Sequence, residues 1–469
     1  MAGLVWFHRW LGVATCLVFA MWFATGAVML FNPFPSVSTA DRTAFAAPLD
    51  TSAIRVGPAE ALRLAGGGSG EVRLVQRNAA PAYVIHGEGT ATVVDAQNGA
   101  VLPLLAPAAV GADRPPQVYD QWTVANGLDP YRPLYRIPRG DVAGTVDYVS
   151  AVTGELVQRT TASDRAWNWA GSVLHWIYFT PLRSNWAVWD QTVWWLSLVC
   201  SLVALAGIVL GILRSATALR QKRRALTYFR ARWLRWHHLL GLFAGIFVLT
   251  WIVSGWLSMD HGRLFSRGQA TERQALAYAG GAGVTDVTVA TLRGIGPASE
   301  IQFSALGGQT ILSVTRPVDV VDRLDAAGRA LSDHDFEQML SEAIIRAWPQ
   351  ARLARLEAVA PNDLYRGNEG WPDSVRRADL SGKASPDLYV DANTGRLLTV
   401  MDQSRAAYAW AYYGLHTFKF PGLAEHPILR KGLVLALLLI GFLFSVTGAI
   451  IAWRRLRPVR SPQPSGQRT

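Results

Sequence analysis

Cysteine is almost absent from this chain of 469 residues, which contains only Cys16 and Cys200. Both lie in long apolar stretches, so the hydrophilic segments between those stretches have neither disulfides nor thiolate metal sites. The sequence also lacks a Ser/His/Asp pattern, a glycine-rich phosphate loop and an HExxH motif. These absences argue against hydrolytic and nucleotide-binding functions.

Charged residues are missing from four stretches of the chain. No Asp, Glu, Lys or Arg occurs in residues 10–31, 191–213, 236–259 or 432–453. Each stretch reaches the ~20 residues that a helix needs to cross a bilayer core. The sequence therefore predicts four transmembrane helices in a multi-pass protein of the lipid bilayer.

Acidic residues are missing beside the basic residues that flank these stretches. Between Arg214 and Arg235 there are eight Lys or Arg residues and no acid, and five more basic residues follow Trp453. With Arg9 these total 14, which leaves 45 − 14 = 31 basic against 34 acidic residues elsewhere. Because short cytoplasmic segments retain Lys and Arg, both termini are predicted to be cytoplasmic. The net charge of +11 thus reflects topology, and no nucleic-acid binding is expected.

The first apolar stretch has an alternative interpretation as a cleaved signal peptide. Ala44-Phe45-Ala46 resembles a cleavage site. However, the apolar run is long and ends about fifteen residues before that site, so an uncleaved membrane anchor is favoured.

Four of the nine histidines recur at matched positions in the two halves of the chain. His8 and His237 each open an apolar stretch and are followed four residues later by glycine, Gly12 or Gly241. Residues four apart share one helix face, so each glycine is expected to leave room for a ligand beside its histidine. Thr25-Gly26 and Ser254-Gly255 continue the match further along the same stretches.

A second matched pair consists of His175 and His416. Each lies 32 residues before a glycine, Gly207 or Gly448, in the following apolar stretch. Each half of the chain thus has the order helix, outer segment, helix, which is a parallel repeat with its axis along the membrane normal. Equivalent residues face each other across such an axis, so His8 should oppose His237 and His175 should oppose His416.

Opposed histidines at one membrane depth are what a bis-imidazole haem site requires. Two neutral imidazoles give a six-coordinate haem iron that is suited to electron transfer. We therefore predict one or two haem b groups, and without a CxxCH motif they must be held noncovalently. A transmembrane helix of about twenty residues is ~30 Å long, so electron transfer between sites at its two ends would be slow. This length favours one haem over two.

The matched histidines also fit roles that involve no haem. A lone histidine beside a helix-packing glycine is ordinary at a membrane border. The segments around His175 and His416 are aromatic and precede proline, which predicts interfacial helices and needs no ligand role. His238 competes with His237, because adjacent residues point about 100° apart around a helix. We choose His237, since the repeat aligns it with His8.

The outer segments alternate apolar and polar residues around recurring turns that contain glycine. Glycine supplies the positive φ of a tight strand connection, so these patterns predict two β-hairpins in each outer domain. Apolar residues on one face predict a helix from Asp335 to Trp348. The outer domains are thus expected to be α+β. The predicted hairpins span residues 93–102, 148–157, 323–331 and 388–398.

The combination of motifs resembles the PepSY-associated transmembrane proteins. It comprises His8-Arg9-Trp10-Leu11-Gly12, its echo His237-His238-Leu239-Leu240-Gly241, the Asp-Ala-x-Thr-Gly hairpin and the terminal Trp453-Arg454-Arg455. The resemblance implies a bacterial inner-membrane protein with two periplasmic PepSY-like domains. It also implies an oxidoreductase that uses haem to reduce a periplasmic ferric siderophore and release Fe(II) for iron uptake.

This function requires partners outside the chain. The cytoplasmic loop of residues 214–235 is too short for a flavin or NAD module, so the electron donor would be a membrane quinol or a cytoplasmic reductase. Substrate contacts are expected near His175, at Trp176, Phe179 and Arg183. A non-enzymatic protein that binds or regulates a periplasmic partner is the alternative. A permease is disfavoured because the four charge-free stretches offer no Asp, Glu or Lys inside the membrane.

These inferences combine into one predicted architecture, a membrane α-helical protein with four transmembrane helices in two parallel repeats and two α+β periplasmic domains. The central loop and the tail are cytoplasmic in this arrangement. The predicted segments are transmembrane helix 1 (1–31), periplasmic domain 1 (32–187) with an interfacial helix near 165–180, transmembrane helix 2 (188–213), a basic loop (214–235), transmembrane helix 3 (236–259), periplasmic domain 2 (260–429) with an interfacial segment near 405–420, transmembrane helix 4 (430–453) and a tail (454–469).

Overall fold

The fold joins a bundle of long helices to three β-sheets. It was determined as a computed structural model, and the basic residues 222–225 and the tail after residue 457 lie outside the part that it describes. The described residues are 1–67, 71–87, 89–221, 226–281, 287–317, 320–361, 363–382 and 385–457.

Helices occur in both the bundle and the outer domains. The α-helices are α1 (Ala2–Met29), α2 (Thr39–Phe45), α3 (Pro58–Leu64), α4 (Ala162–Asn168), α5 (Thr180–Arg183), α6 (Trp186–Arg220), α7 (Arg232–Ser258), α8 (Glu272–Ala279), α9 (Val289–Gly294), α10 (Asp333–Ala347), α11 (Leu364–Glu369), α12 (Gln403–Ala409) and α13 (Pro427–Leu456). Short π-helical turns follow α4 and α12, at Trp169–Val173 and Trp410–His416.

Helices α1, α6, α7 and α13 are long and apolar enough to cross a membrane, as predicted. They form a closed ring, because α1 packs against α6 and α13, and α7 packs against the same two helices. Phe23, Trp251 and Leu438 are buried at its centre. Large apolar side chains such as Leu17 and Phe243 point outward and are exposed, which suits a surface that contacts lipid.

Helix α6 is longer than the predicted span of residues 188–213, since it begins at Trp186 and ends at Arg220. The expectation that the spans hold no acid is wrong for α6, because its second turn carries the buried Asp190, just before the charge-free stretch of residues 191–213. Asp190 Oδ2 lies 2.5 Å from Nδ1 of His261, just after α7. His261 thus pairs with the bundle.

The largest sheet has six strands and contains strands from both outer domains. Its strand order is β3-β2-β1-β7-β8-β9, and the antiparallel pairing of β1 with β7 joins the two domains. Leu74, Tyr83, Ile301 and Leu312 are fully buried on this sheet. Its strands are β1 (Val72–Arg77), β2 (Ala80–His86), β3 (Ala91–Asp95), β7 (Glu300–Leu306), β8 (Gln309–Thr315) and β9 (Val321–Leu324).

Each outer domain also has a smaller antiparallel sheet. The first has the order β4-β5-β6 and the second β10-β11-β12-β13. Helix α10 buries Phe336, Leu340 and Ile344 against the second, as its apolar periodicity predicts. These strands are β4 (Leu134–Pro138), β5 (Val146–Ser150), β6 (Leu156–Thr160), β10 (Arg352–Ala358), β11 (Val375–Ser381), β12 (Asp387–Asp391) and β13 (Leu397–Met401).

Two of the four predicted hairpins are full strand pairs. They are β5-β6 and β12-β13, whose turns contain Gly154 and Gly395 with φ of 79° and 71°. The other two predicted hairpins, at residues 93–102 and 323–331, close through single bridges. Gly99 and Gly328 in these two turns have positive φ, as the turn prediction requires. Few backbone hydrogen bonds join the segments on either side, so these two are not full hairpins.

A buried arginine binds the two outer domains together at the β1-β7 seam. Arg73 donates to both carboxylate oxygens of Glu155, at 2.5 and 2.9 Å, and to Glu300 at 3.2 Å. Burial opposes ionisation, yet Arg73 holds the pKa of Glu155 below its usual value. The pKa of Glu300 is raised by burial, because its contact with Arg73 is single and longer. Removing Arg73 would therefore leave two carboxyl groups without their cation.

Candidate functional site

His8 and His237 face each other inside the bundle, and we call them the inner pair. His8 lies in α1, His237 lies in α7, and their ring centres are 6.4 Å apart. Each ring packs against a glycine in the other long helix of its own half of the chain. A Cβ on Gly207 would lie 2.7 Å from Cε1 of His8, and one on Gly448 would lie 3.4 Å from Cε1 of His237.

His175 and His416 also face each other, with ring centres 6.5 Å apart, and form the outer pair. Both follow or end a π-helical turn, and a residue with left-handed φ comes two positions later, Ile177 at 55° and Phe418 at 54°. This sharp change of direction places each histidine over the end of a long helix. The rings contact glycines that the sequence pairs, Gly26 for His175 and Gly255 for His416.

Both separations fit two axial ligands of one metal ion. Two collinear metal–imidazole bonds of ~2.0–2.1 Å, each extended by ~1.1 Å from nitrogen to ring centre, place the ring centres about 6.2–6.4 Å apart. The observed distances are 6.4 and 6.5 Å. Among the described residues no group of three or more metal-ligating side chains occurs. A haem iron needs only two axial ligands from the protein, so a pair of histidines could hold one.

The hydrogen bonds of the outer pair define which ring nitrogen is free. Nδ1 of His175 lies 2.9 Å from Oγ1 of Thr25, and Nδ1 of His416 lies 3.2 Å from Oγ of Ser254. Each hydroxyl donates its own proton to the main-chain carbonyl three residues earlier, at 3.2 and 3.1 Å. The hydroxyl must therefore accept from Nδ1–H, which leaves the lone pair on Nε2.

The inner pair has the same tautomer. Nδ1 of His8 donates to the carbonyl of Val203 at 3.0 Å. Nδ1 of His237 lies 2.9 Å from Oγ1 of Thr447, whose proton goes to the carbonyl of Phe444 at 2.6 Å. In the described part of the chain, Nε2 of these four histidines has no hydrogen-bond partner. Each Nε2 is thus available to a metal.

The outer histidines are also neutral rings. Burial, together with the nearby His416, lowers the pKa of His175 to about 3. Burial lowers the pKa of His416 to about 4. Neutral imidazole is the form that ligates a metal, so no proton has to be removed before a metal binds.

Tryptophan side chains fix the backbone of the outer pair, a role that the sequence does not reveal. The indole of Trp22 donates to the carbonyl of His175 at 3.0 Å, and that of Trp251 donates to the carbonyl of His416 at 2.9 Å. The two tryptophans precede Gly26 and Gly255 by the same four residues. This matched spacing is the only sequence signal that points to a shared role for the two tryptophans.

Each histidine pair borders a cavity in the bundle. The inner cavity has a volume of about 330 Å³ and is lined by the inner pair together with Gly12 and Gly241. A Cβ placed on Gly12 would meet open space, so the prediction of room beside the histidine is confirmed for His8. It is wrong for Gly241, where a Cβ would lie 3.1 Å from the ring of Phe444, which stacks on His237. The outer cavity, of about 590 Å³, is lined by the outer pair and by aromatic residues. Both volumes fall in the range of cofactor and ligand sites.

The two cavities approach each other much more closely than the helix ends do. Phe19 lines the inner cavity and Phe23 the outer one, and Val248 and Ile252 are divided in the same way. Residues four apart on a helix are separated by ~6 Å along its axis. Phe23 lies between the cavities, fitted against Gly441, where a Cβ would be 2.5 Å from its ring. The linings of the two cavities are therefore about one helical turn apart, while His8 and Gly26, which contacts His175, remain 18 residues or ~27 Å apart along α1.

His238, the rival of His237, uses both ring nitrogens elsewhere. Nδ1 lies 3.0 Å from Oγ1 of Thr227, and Nε2 donates to the carbonyl of Gly211 at 3.0 Å. These bonds tie α7 to the end of α6 and to the loop that follows it. His237 is the residue that faces His8.

The residues expected to contact substrate divide into two groups. Trp176 lines the outer cavity and Phe179 is partly exposed nearby. Arg183 is buried between Tyr178 and Trp189, with its guanidinium carbon 5.0 and 4.7 Å from their ring centres. Arg183 thus stabilises the wall of the cavity and is not a surface for substrate. Arg430, which the sequence does not single out, lines the same cavity.

Comparison with known proteins places the chain in a family. The model of the PepSY-associated TM region matches residues 5–455, nearly the whole chain and all four long helices. No curated protein and no solved structure matches this chain. Since the match covers both histidine pairs and the sheets between the helices, the chain belongs to the PepSY-associated transmembrane family.

Proposed function

We propose that this protein is a b-type haem protein of the bacterial inner membrane that carries electrons across the membrane to a periplasmic ferric siderophore and releases Fe(II). The observation that supports it best is the geometry of the inner and outer pairs. Each has the ring separation of two axial ligands, and each ring has Nε2 free and Nδ1 held by a hydrogen bond.

Two parallel repeats explain why both pairs exist. His8 and His237 are 229 residues apart, as are Trp22 and Trp251, whereas His175 and His416 are 241 apart. The first helix of each repeat thus supplies one inner ligand, and the segment before its second helix supplies one outer ligand. A symmetry axis along the membrane normal brings equivalent ligands together at equal depth.

The topology follows from the basic residues at one end of the bundle. Arg214, Arg220, Arg232 and Arg454 all lie at the end that holds the inner pair. The positive-inside rule makes this end cytoplasmic, so the termini are cytoplasmic and both outer domains are periplasmic. Electrons would then enter near His8 and His237 and leave near His175 and His416.

When bound, haem supplies a one-electron Fe(III)/Fe(II) couple. The four histidines of the inner and outer pairs would hold the haem iron, and the Nδ1 hydrogen bonds hold those rings in one orientation and would increase their basicity. Apolar residues around the inner pair exclude water from the ligands. The one-turn spacing of the cavity linings, with Phe23 between them, supports a proposal of two haem groups, because it would shorten the distance between the porphyrin edges.

The acceptor is proposed from the position of the outer cavity and from the family resemblance. This cavity lies where the bundle meets the outer domains, and it is lined by Trp176, Tyr412 and Arg430. Aromatic and cationic groups suit the chelating arms and anionic donors of a ferric siderophore. One electron converts its Fe(III) to Fe(II), which hard oxygen donors bind less tightly. A membrane quinol or a cytoplasmic reductase supplies the electron.

The first test is the absorption spectrum of the full chain purified from haem-replete membranes. We expect a Soret band and two haem groups per chain, with one lost in His237→Ala and the other in His416→Ala. A chain without a Soret band would eliminate the proposal. That result would leave the alternative of a non-enzymatic protein that binds a periplasmic partner.

The second test concerns the acceptor. Ferrioxamine B added to the dithionite-reduced protein without excess reductant should reoxidise the haem, and a ferrozine-type chelator should trap the Fe(II). The gallium(III) complex of the same siderophore is the matched control, because it has the same charge and shape but is not reduced. Reoxidation at the same rate by the gallium complex, or none by the ferric complex, would contradict siderophore reduction.

A further inference from the structure

The inner cavity is mostly apolar apart from its histidines, Thr15 and Ser445, and arginines line its cytoplasmic end. Arg214 of α6 and Arg455 of α13 are both part of this lining. They occupy matched positions, since each lies seven residues after the glycine against which an inner histidine packs, Gly207 or Gly448. Two turns of helix, ~10.5 Å, separate each arginine from its glycine.

The direction of the helices turns these side chains back toward the cavity. Side chains in an α-helix lean toward its N-terminus. Both α6 and α13 have their N-termini at the outer end of the bundle, so Arg214 and Arg455 lean toward the inner pair. The Arg455 guanidinium carbon is 5.4 Å from the ring centre of Trp10, and that of Arg214 is 5.5 Å from Tyr228.

The charge around this end has one sign. Among the described residues, no Asp or Glu lines the inner cavity. Arg9, Arg214 and Arg455 also form no ion pair with any described residue. The Nε atom of Arg9 is buried there without a hydrogen-bond partner. Topology requires only that basic residues lie on the cytoplasmic side. It does not require a matched pair of them in the cavity wall.

We infer that Arg214 and Arg455 each bind one of the two carboxylates of a haem held by the inner pair. The apolar walls match the porphyrin body, and the two matched cations match its two anionic side chains, which then point toward the cytoplasm. This assignment rests on the proposed function. Guanidinium groups bind carboxylates through charge-assisted, often bidentate hydrogen bonds, and they stay charged at every relevant pH.

The experiment compares Arg214→Gln and Arg455→Gln with Arg454→Gln in the full-length protein. Arg454 and Arg455 are both exposed, but Arg454 packs on Trp233 and does not line the cavity, so it controls for the loss of one basic residue at the same helix end. The rate of haem transfer to excess apomyoglobin should increase about tenfold in each cavity variant, the expected effect of losing one charge-assisted hydrogen bond. Arg454→Gln should match the parent.

A modified haem separates carboxylate binding from packing. Protein reconstituted with haem dimethyl ester lacks both carboxylates, so Arg455→Gln should then release its haem at the parent rate. The midpoint potential of the inner haem should fall in the variants with native haem, because a nearby cation is removed. The outer haem, held by His175 and His416, is the internal reference for folding.

Two results would overturn the assignment. One is native haem release unchanged by Arg214→Gln and Arg455→Gln. The other is equal acceleration for native and esterified haem, which would assign the arginines to packing or to an anionic lipid headgroup. Both presuppose a bound inner haem, whereas failure of the proposed function itself is seen as the absence of haem from the parent protein.

Discussion

Replacing Gly207 with alanine tests whether helix packing sets the position of His8. The added Cβ would lie 2.7 Å from Cε1 of His8, whereas ordinary contact begins at 3.4 Å, so the ring must retreat by 3.4 − 2.7 = 0.7 Å. Metal–ligand distances tolerate about 0.2 Å. The displaced Nε2 therefore no longer matches His237 across a common metal.

Gly207→Ala is expected to weaken haem binding at the inner pair and not to destabilise helix α6. Overpacking of a tight interior costs about 1–3 kcal/mol, which corresponds to about a 5- to 150-fold loss of inner-haem affinity. Alanine favours an α-helix over glycine by about 1 kcal/mol. Weakening of α6 thus cannot account for a loss of haem from Gly207→Ala.

The assay is haem content together with the low-spin electron paramagnetic resonance of the oxidised full chain. Gly207→Ala should lose or shift one signal and keep the one from His175 and His416. Two controls have ordinary clearances: Gly448→Ala, at 3.4 Å from His237, and Gly211→Ala, at 3.5 Å from Leu242. Two unchanged low-spin signals in Gly207→Ala would refute the reasoning, and so would equal losses in the controls.

Three further predictions concern residues that the structure assigns to separate tasks. His238→Ala should keep both haem groups while lowering the melting temperature, whereas His237→Ala should lose one haem, as counted by pyridine haemochrome. Thr25→Val removes the acceptor for His175 and should weaken outer-haem binding about 10- to 100-fold, measured by haem transfer to apomyoglobin; unchanged transfer would contradict the tautomer assignment. Arg73→Met should lower the free energy of unfolding by about 2–3 kcal/mol, with Arg63→Met as the exposed control. Because the pKa of Glu155 is lowered in the fold, this difference should be present at neutral pH and shrink as the pH falls through that lowered pKa; a pH-independent difference would argue against the ion pairs.

The sequence by itself determined the number of spans and the matched histidines. Four stretches without charge can only be buried or in lipid, and a hydrophobic length is a one-dimensional property of the chain. The spacing of His8 and His237 relative to their glycines is equally local. The apolar run of residues 191–213 does not predict Asp190 in a membrane helix, because helix α6 begins before that run.

The tertiary structure decided how those residues are used. Spacing shows that Gly207 and Gly448 recur, but only packing between helices reveals that they receive the rings of His8 and His237. Whether a histidine has a free Nε2 depends on partners more than 100 residues away, such as Thr25 for His175. The rotation of each helix about its axis, which turns His237 inward and His238 toward Gly211, is fixed by these contacts between distant segments and not by periodicity along one of them.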